Sequence, residues 1–236
     1  MDSKEVNKRI RAVIWPVLRQ EGFTTFGPRT AWRHTKDRVD VINFQSFNSY
    51  NADVLGVTPH SFAVNLGCAL LDIPFHLEIA AKDGIPFPKE YECDFRARLK
   101  RSFIQFRNKH KTIWYVDERG KSLDKSLADV LTQIQKIALP WFKKLSDKSE
   151  AMRILRSDEE QMQELWGFGR NPSPHRSYMT GYLALSLGDY DLARIKLQEA
   201  IDSGCFTALI PDLETALKRS NPLLNSNAAT SDTAVT

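Results

Sequence analysis

Cys93-Asp94-Phe95-Arg96-Ala97-Arg98-Leu99 alternates apolar and charged side chains at every position. A period of two marks a strand, because successive side chains point to opposite faces of a sheet. Cys93, Phe95, Ala97 and Leu99 are therefore expected on a buried face, with the charged residues between them on a wet one. Upstream, 61–71 alternates in the same way, with Phe62, Val64 and Leu66 on one face. The stretch 38–47 is rich in Val, Ile and Phe. Val39 and Val41 point one way and Ile42 and Phe44 the other, so both of its faces are expected to meet apolar neighbours. Shorter strands are expected at 23–26 and 30–34, around the turn signal Gly27-Pro28, and at 112–116. Residues 48–59 and 83–89 are turn-rich and read as loops.

After Gly120 the period lengthens. Leu123, Leu127, Val130, Leu131, Ile134 and Ile137 fall at helical spacing and predict a helix to about 139, which Pro140 is expected to bend or end. At the other end of the chain, Val6, Ile10, Val13, Val17 and Leu18 stripe a basic amphipathic helix over 3–21. Pro16 should kink it and Gly22 should stop it. A further helical stretch starts at 149. Ser157 and Glu160 match a capping box opening a helix toward Trp166, and 167–174 is a Gly/Pro-rich break. Residues 175–203 read as a helical hairpin turning at Gly188-Asp189, and a short helix follows over 211–219. The expected fold class is α+β: an antiparallel sheet packed by the N-terminal helix and the long following helix, with a C-terminal α-helical subdomain. The expected division is 1–146 for the α+β domain, 147–219 for the helical subdomain and 220–236 for a disordered tail with little to bury.

Of the 236 residues, 42% are hydrophobic and 26% charged, enough to build a core. No stretch approaches the roughly 20 apolar residues of a membrane span. The opening Met-Asp-Ser-Lys-Glu puts charges where a secretory leader needs an apolar run. Cys68, Cys93 and Cys205 are odd in number and far apart, which points to free thiols in a reducing, cytoplasmic setting. A net charge of +4 is too small by itself to imply a polyanionic partner.

The order of features over the first 145 or so residues resembles a family of bacterial domains of unknown function. The basic helix ending in Glu21-Gly22-Phe23, the segment Ala31-Trp32-Arg33, Val41-Ile42-Asn43-Phe44-Gln45, Phe62-Ala63-Val64-Asn65-Leu66-Gly67 and the strand 93–99 carry the resemblance. It implies an antiparallel α+β fold and no particular activity. Separately, Gly181, Gly188, Tyr190, Ala193, Leu197 and Ala200 stand at spacings similar to one tetratricopeptide repeat, with Cys205 where that repeat usually has proline. A single hairpin packed on the α+β part is expected rather than an array.

Catalytic signatures are missing: there is no GxSxG, P-loop, GxGxxG, HExxH or EF-hand pattern. His34, His60, His76, His110 and His175 are scattered, so any metal site would have to assemble in three dimensions, and no cofactor is expected. Glu78 and Lys82 stand four apart, too far for the Glu-x-Lys pair of restriction-type nucleases. The densest chemistry is basic. Arg96, Arg98, Lys100 and Arg101 begin a segment running to Lys111 without an acid and with Phe103 and Phe106 interleaved, which suits a phosphate backbone. Against that, Glu90, Glu92 and Asp94 precede it on the same alternation, and a solvated or cross-paired strand face is the stronger alternative. The expected function is a non-enzymatic protein-interaction module of a bacterial cytoplasm, in a defence or toxin-immunity setting. Its candidate surfaces are the hairpin and a sheet face. Nucleic-acid binding through Arg96, Arg98, Lys100 and Arg101 is the first alternative, and an enzyme with a dispersed site is the second.

Overall fold

The computed structural model describes residues 3–105, 108–157 and 172–219. The capping box at 157–160, Trp166 and the expected tail beyond 219 lie wholly or partly outside them. Two compact units are formed. The first comprises residues to 34, 40–67 and 97–143, and the second comprises 35–39, 68–96 and the chain from 144 onward.

The strands are β1 (Thr25–Phe26), β2 (Thr30–His34), β3 (Arg38–Ser46), β4 (Phe62–Leu70), β5 (Ala81–Lys82), β6 (Ile85–Pro86), β7 (Phe95–Arg98) and β8 (Ile113–Trp114). The main sheet runs β1-β2-β3-β4-β7, with β8 also paired to β4. Its pairs include antiparallel β1–β2, with Thr25 opposite Trp32, and antiparallel β4–β8, with Phe62 opposite Trp114. The fold is α+β, as the two periodicities require.

In the first unit the N-terminal helix is split. Helix α1 (Ser3–Val13) and α2 (Trp15–Gln20) meet at Ile14. Pro16 lies in the first turn of α2, where its missing N–H leaves no bond unmade. Val6, Ile10, Ile14, Trp15 and Leu18 are buried, each worth about 1.5–3 kcal/mol of transfer free energy. Trp15 packs on Phe26 at 5.3 Å and Phe44 at 5.6 Å, and the row of rings continues through Phe62 to Trp114. A polar device sits among them. Asp40 of β3 is fully buried and accepts from Arg33 Nε at 2.8 Å. The same guanidinium lies over the rings of Phe23 and Phe142 and donates to Glu21 O.

One expectation is corrected and another is narrowed. Residues 48–59 are not all loop, because α3 (Ser49–Leu55) stands there. Asn48 caps it by accepting from Asn51 N–H, and Gly56 ends it in the left-handed conformation. Of the two outcomes expected at Pro140, a bend or an end, the helix does not end there. Helix α4 (Leu123–Gln133) passes through a π-helical turn (Ile134–Ala138) into α5 (Leu139–Lys144). The turn just before Pro140 re-spaces the backbone where proline cannot donate.

The second unit contains α6 (Lys148–Arg156), α7 (Pro174–Ser186), α8 (Tyr190–Asp202) and α9 (Leu213–Lys218). Asp147 and Asp189 cap α6 and α8 through their side chains. Helices α7 and α8 form a hairpin in which Gly181 stands against Leu197. A Cβ on Gly181 would lie 2.6 Å from Leu197 Cγ and 3.2 Å from its backbone N. Rotating the leucine side chain does not move that nitrogen, so the helices themselves must separate. Gly181→Val is expected to cost about 2 kcal/mol or more, because overpacking outweighs the small gain in helix propensity. The urea midpoint of the full chain checks this; an unchanged midpoint would contradict the close packing.

Among the described residues, no helix is long and apolar enough to cross a membrane.

Candidate functional site

Arg96, Arg98 and Lys100 do not all lie on one strand face. β7 ends at Arg98, and Leu99 turns inward, buried, with its N–H on Val64 O at 2.9 Å. Arg96, in the second unit, donates from Nη1 to Tyr91 O at 3.1 Å. Arg98 lies on the sheet, its Nε on Asn65 Oδ1 at 2.7 Å and its Nη2 on Gln45 Oε1 at 3.1 Å. Asn65 Nδ2 also donates to Gln45, and Asn43 of the same face donates to Thr30. This polar row crosses β2, β3, β4 and β7. Lys100 and Arg101 fall past the strand, and Lys100 is exposed. The acids upstream separate too: Glu90–Glu92 is a 3-10 turn, and Asp94, expected to be wet, is buried.

Arg101 organises the loop between β7 and β8. Its guanidinium donates to the carbonyls of Phe103, Asn108 and His110, and its backbone N–H closes the neck on Lys111 O at 2.9 Å. Side chains replace the backbone as partners inside the loop. Gln105 both donates to Tyr115 O and accepts from Tyr115 N–H at 2.9 Å, and buried Asn108 donates to Ile113 O at 2.8 Å. Ser102 is fixed by Asp129 of α4, which also accepts from Trp114 Nε1 at 2.8 Å. The result is a cavity of about 590 Å³ whose wall includes Arg101, Phe103, Ile104, Lys109 and Lys111. Burial lowers the pKa of Arg101, and Asp129 opposes the shift.

In the second unit a groove of about 410 Å³ lies along α6, α7 and α8. Leu155 and Leu192 give it apolar walls. Its floor is fixed: Ser177 Oγ and Lys196 Nζ both donate to Glu199 at 2.8 Å, and buried Arg176 donates to Ser157 O at 2.9 Å. Outside it, α8 buries Ala193, Leu197 and Ala200 and leaves Tyr190 and Ile195 exposed.

The histidines show what sequence spacing hides. His76 and His175 meet edge to face at 4.3 Å beside Phe206 and Tyr178. Burial, then His76 and Arg96, draw His175 down to about 4. Burial, then Arg96, lowers His76. Burial pushes the Tyr178 hydroxyl up to about 12, and that hydroxyl donates to Pro74 O at 3.0 Å. Asp94 is pushed up to about 7 by burial, although it accepts from Leu70 N–H at 2.9 Å. Among the described residues no group of three or more His, Cys, Asp or Glu side chains is placed to hold a metal. Glu78 stands in an irregular segment and Lys82 in β5.

The family described as a domain of unknown function, DUF4304, matches residues 14–144, more than half of the chain. No curated protein and no solved structure matches.

Proposed function

We propose that this chain, which belongs to the DUF4304 family of domains of unknown function, serves a bacterial cytoplasm as a binding protein whose helical hairpin takes up a segment of a partner polypeptide. The observation that carries this reading is the groove along α6, α7 and α8. Leucines line it, and its polar groups are held by one another before any partner arrives. A floor fixed in advance lowers the ordering cost of binding. Among the described lining residues, Arg156, Arg176 and Lys196 stand against the single acid Glu199, so the complementary segment carries acidic side chains between apolar ones. Three free cysteines, two of them buried, agree with a reducing compartment.

A photo-crosslinking residue placed at Leu192 of the full chain, in native cells, tests the proposal. The expected product is a cross-link to one other polypeptide, lost in a Lys196→Glu background because the net positive charge of the described lining is cancelled. Cross-links confined to the chain itself, or a partner retained in the Lys196→Glu background, would overturn it.

A further inference from the structure

The loop between β7 and β8 holds a second site, independent of the hairpin. We propose that its cavity binds single-stranded nucleic acid, taking a phosphate on its cations and a base on its apolar wall. Of the four cations picked out in the sequence, only Arg101 lines this cavity. Lys109 and Lys111, further along the same basic segment, complete it.

Three observations converge. The first is charge: among the described residues that line the cavity there are three cations and no carboxylate. A guanidinium carries five N–H groups, and Arg101 directs three of its bonds to loop carbonyls, which leaves donors for an anion without undoing the loop. The second is rigidity. Gln105, Asn108, Ser102 and the Arg101–Lys111 neck each tie described loop residues to one another or to their neighbours, so Arg101 and the backbone carrying Lys111 are placed before binding. The third is the wall. Ile104 is 80% exposed among these cations, and Phe103 stands beside it with Lys125 Nζ 4.6 Å from its ring centre. An isoleucine so placed has no role in the core, whereas the flat face of a base would cover it. The volume, about 590 Å³, is in the range of small-ligand sites. A double helix presents its bases edge-on inside grooves, so this combination of phosphate donors with an apolar face open to a base fits an unpaired strand.

The test uses the full chain, a fluorescein-labelled oligouridylate, the same sugar-phosphate chain without bases, and phosphatidylserine vesicles. Binding of the oligouridylate is expected at low salt, and it should weaken as salt is raised. Lys109→Glu with Lys111→Glu, both at exposed positions, should weaken it about tenfold or more. Ile104→Ser should weaken the oligouridylate about fivefold and leave the base-free chain unchanged, since only the apolar contact with a base is lost. The proposal is overturned by any of four results: no complex with the unmodified chain, no effect of the double lysine change, equal loss for both polymers in Ile104→Ser, or binding to vesicles without binding to the oligouridylate.

Discussion

Arg33→Met is expected to destabilise the protein by about 3–5 kcal/mol, a large share of the stability of an ordinary domain. The cause is Asp40. Its carboxylate sits at 0% exposure inside the first unit and receives Nε and Nη2 of Arg33, each at 2.8 Å. Taking Arg33 away removes two charge-assisted donors from a buried carboxylate, which costs more than the pair contributes while intact. Methionine keeps the length and the contact with Phe23 and Phe142, so the loss isolates the charge from the packing. Arg33→Lys keeps the charge but not the planar fork that reaches Asp40, Glu21 O and two rings together, and is expected to lose about half as much. Arg33→Met with Asp40→Leu removes both charges and should recover most of the loss. Urea unfolding followed by circular dichroism reads all three. A single change costing under about 1 kcal/mol, or a double change worse than the single, would mean the pair is not what holds β2 to β3.

That pair was invisible in the sequence. Arg33 lies in a short strand and Asp40 in one rich in Val, Ile and Phe, and alternation says which face a residue takes, not what covers it. The same limit explains Asp94. Its position in the alternating stretch was right, but the expected wet face is buried there, and its partner, the Leu70 N–H, belongs to a strand end far upstream. Long periodic segments were legible because burial of an apolar stripe is what forms them. Helix α3 escaped because it has no long stripe: Tyr50 and Val54 are 74% and 70% exposed, while Ala52 and Leu55 pack with Val57 and Ile113. Asn48 three residues before Asn51, with Gly56 at the far end, was the signal available.

Site residues were legible in a cruder sense. The basic segment was visible as composition, but strand geometry was extended too far, past Arg98 to Lys100. Only the hydrogen bonds of Arg101, Gln105 and Asn108 turn that segment into a cavity. The small residues at the hairpin's close approach could be read because helices that touch need them, and Gly181 against Leu197 is that contact. The His76–His175 pair joins a loop to α7 across a long stretch of chain, and no local pattern encodes such a meeting.

Asp94 and His175 should pull the stability of the protein in opposite directions as pH changes. Asp94 titrates near 3.8 in the unfolded chain and at about 7 when folded. Between those values the folded state holds a proton that the unfolded state has released, so stability falls as pH rises from about 4 to about 7 and stays low above it. The full effect is on the order of 4 kcal/mol. His175 is the reverse case: it moves from 6.5 down to about 4, and His76 moves the same way. Below 6.5 the unfolded chain takes up protons that the folded pair refuses, so stability falls as pH drops toward 4. Over the shared window the two slopes offset, and the unmodified protein is expected to show a shallow profile. Asp94→Asn keeps the volume and an oxygen for the Leu70 N–H but cannot ionise. It should stabilise the protein by several kcal/mol above pH 7 and expose the acid-side loss due to the histidines. His175→Gln should do the opposite, leaving stability that declines steadily from about pH 4 to about pH 7. Urea midpoints across that range decide it. If Asp94→Asn follows the same curve as the unmodified protein, or is weaker than it above pH 7, the buried carboxyl is not the group that sets the alkaline limb.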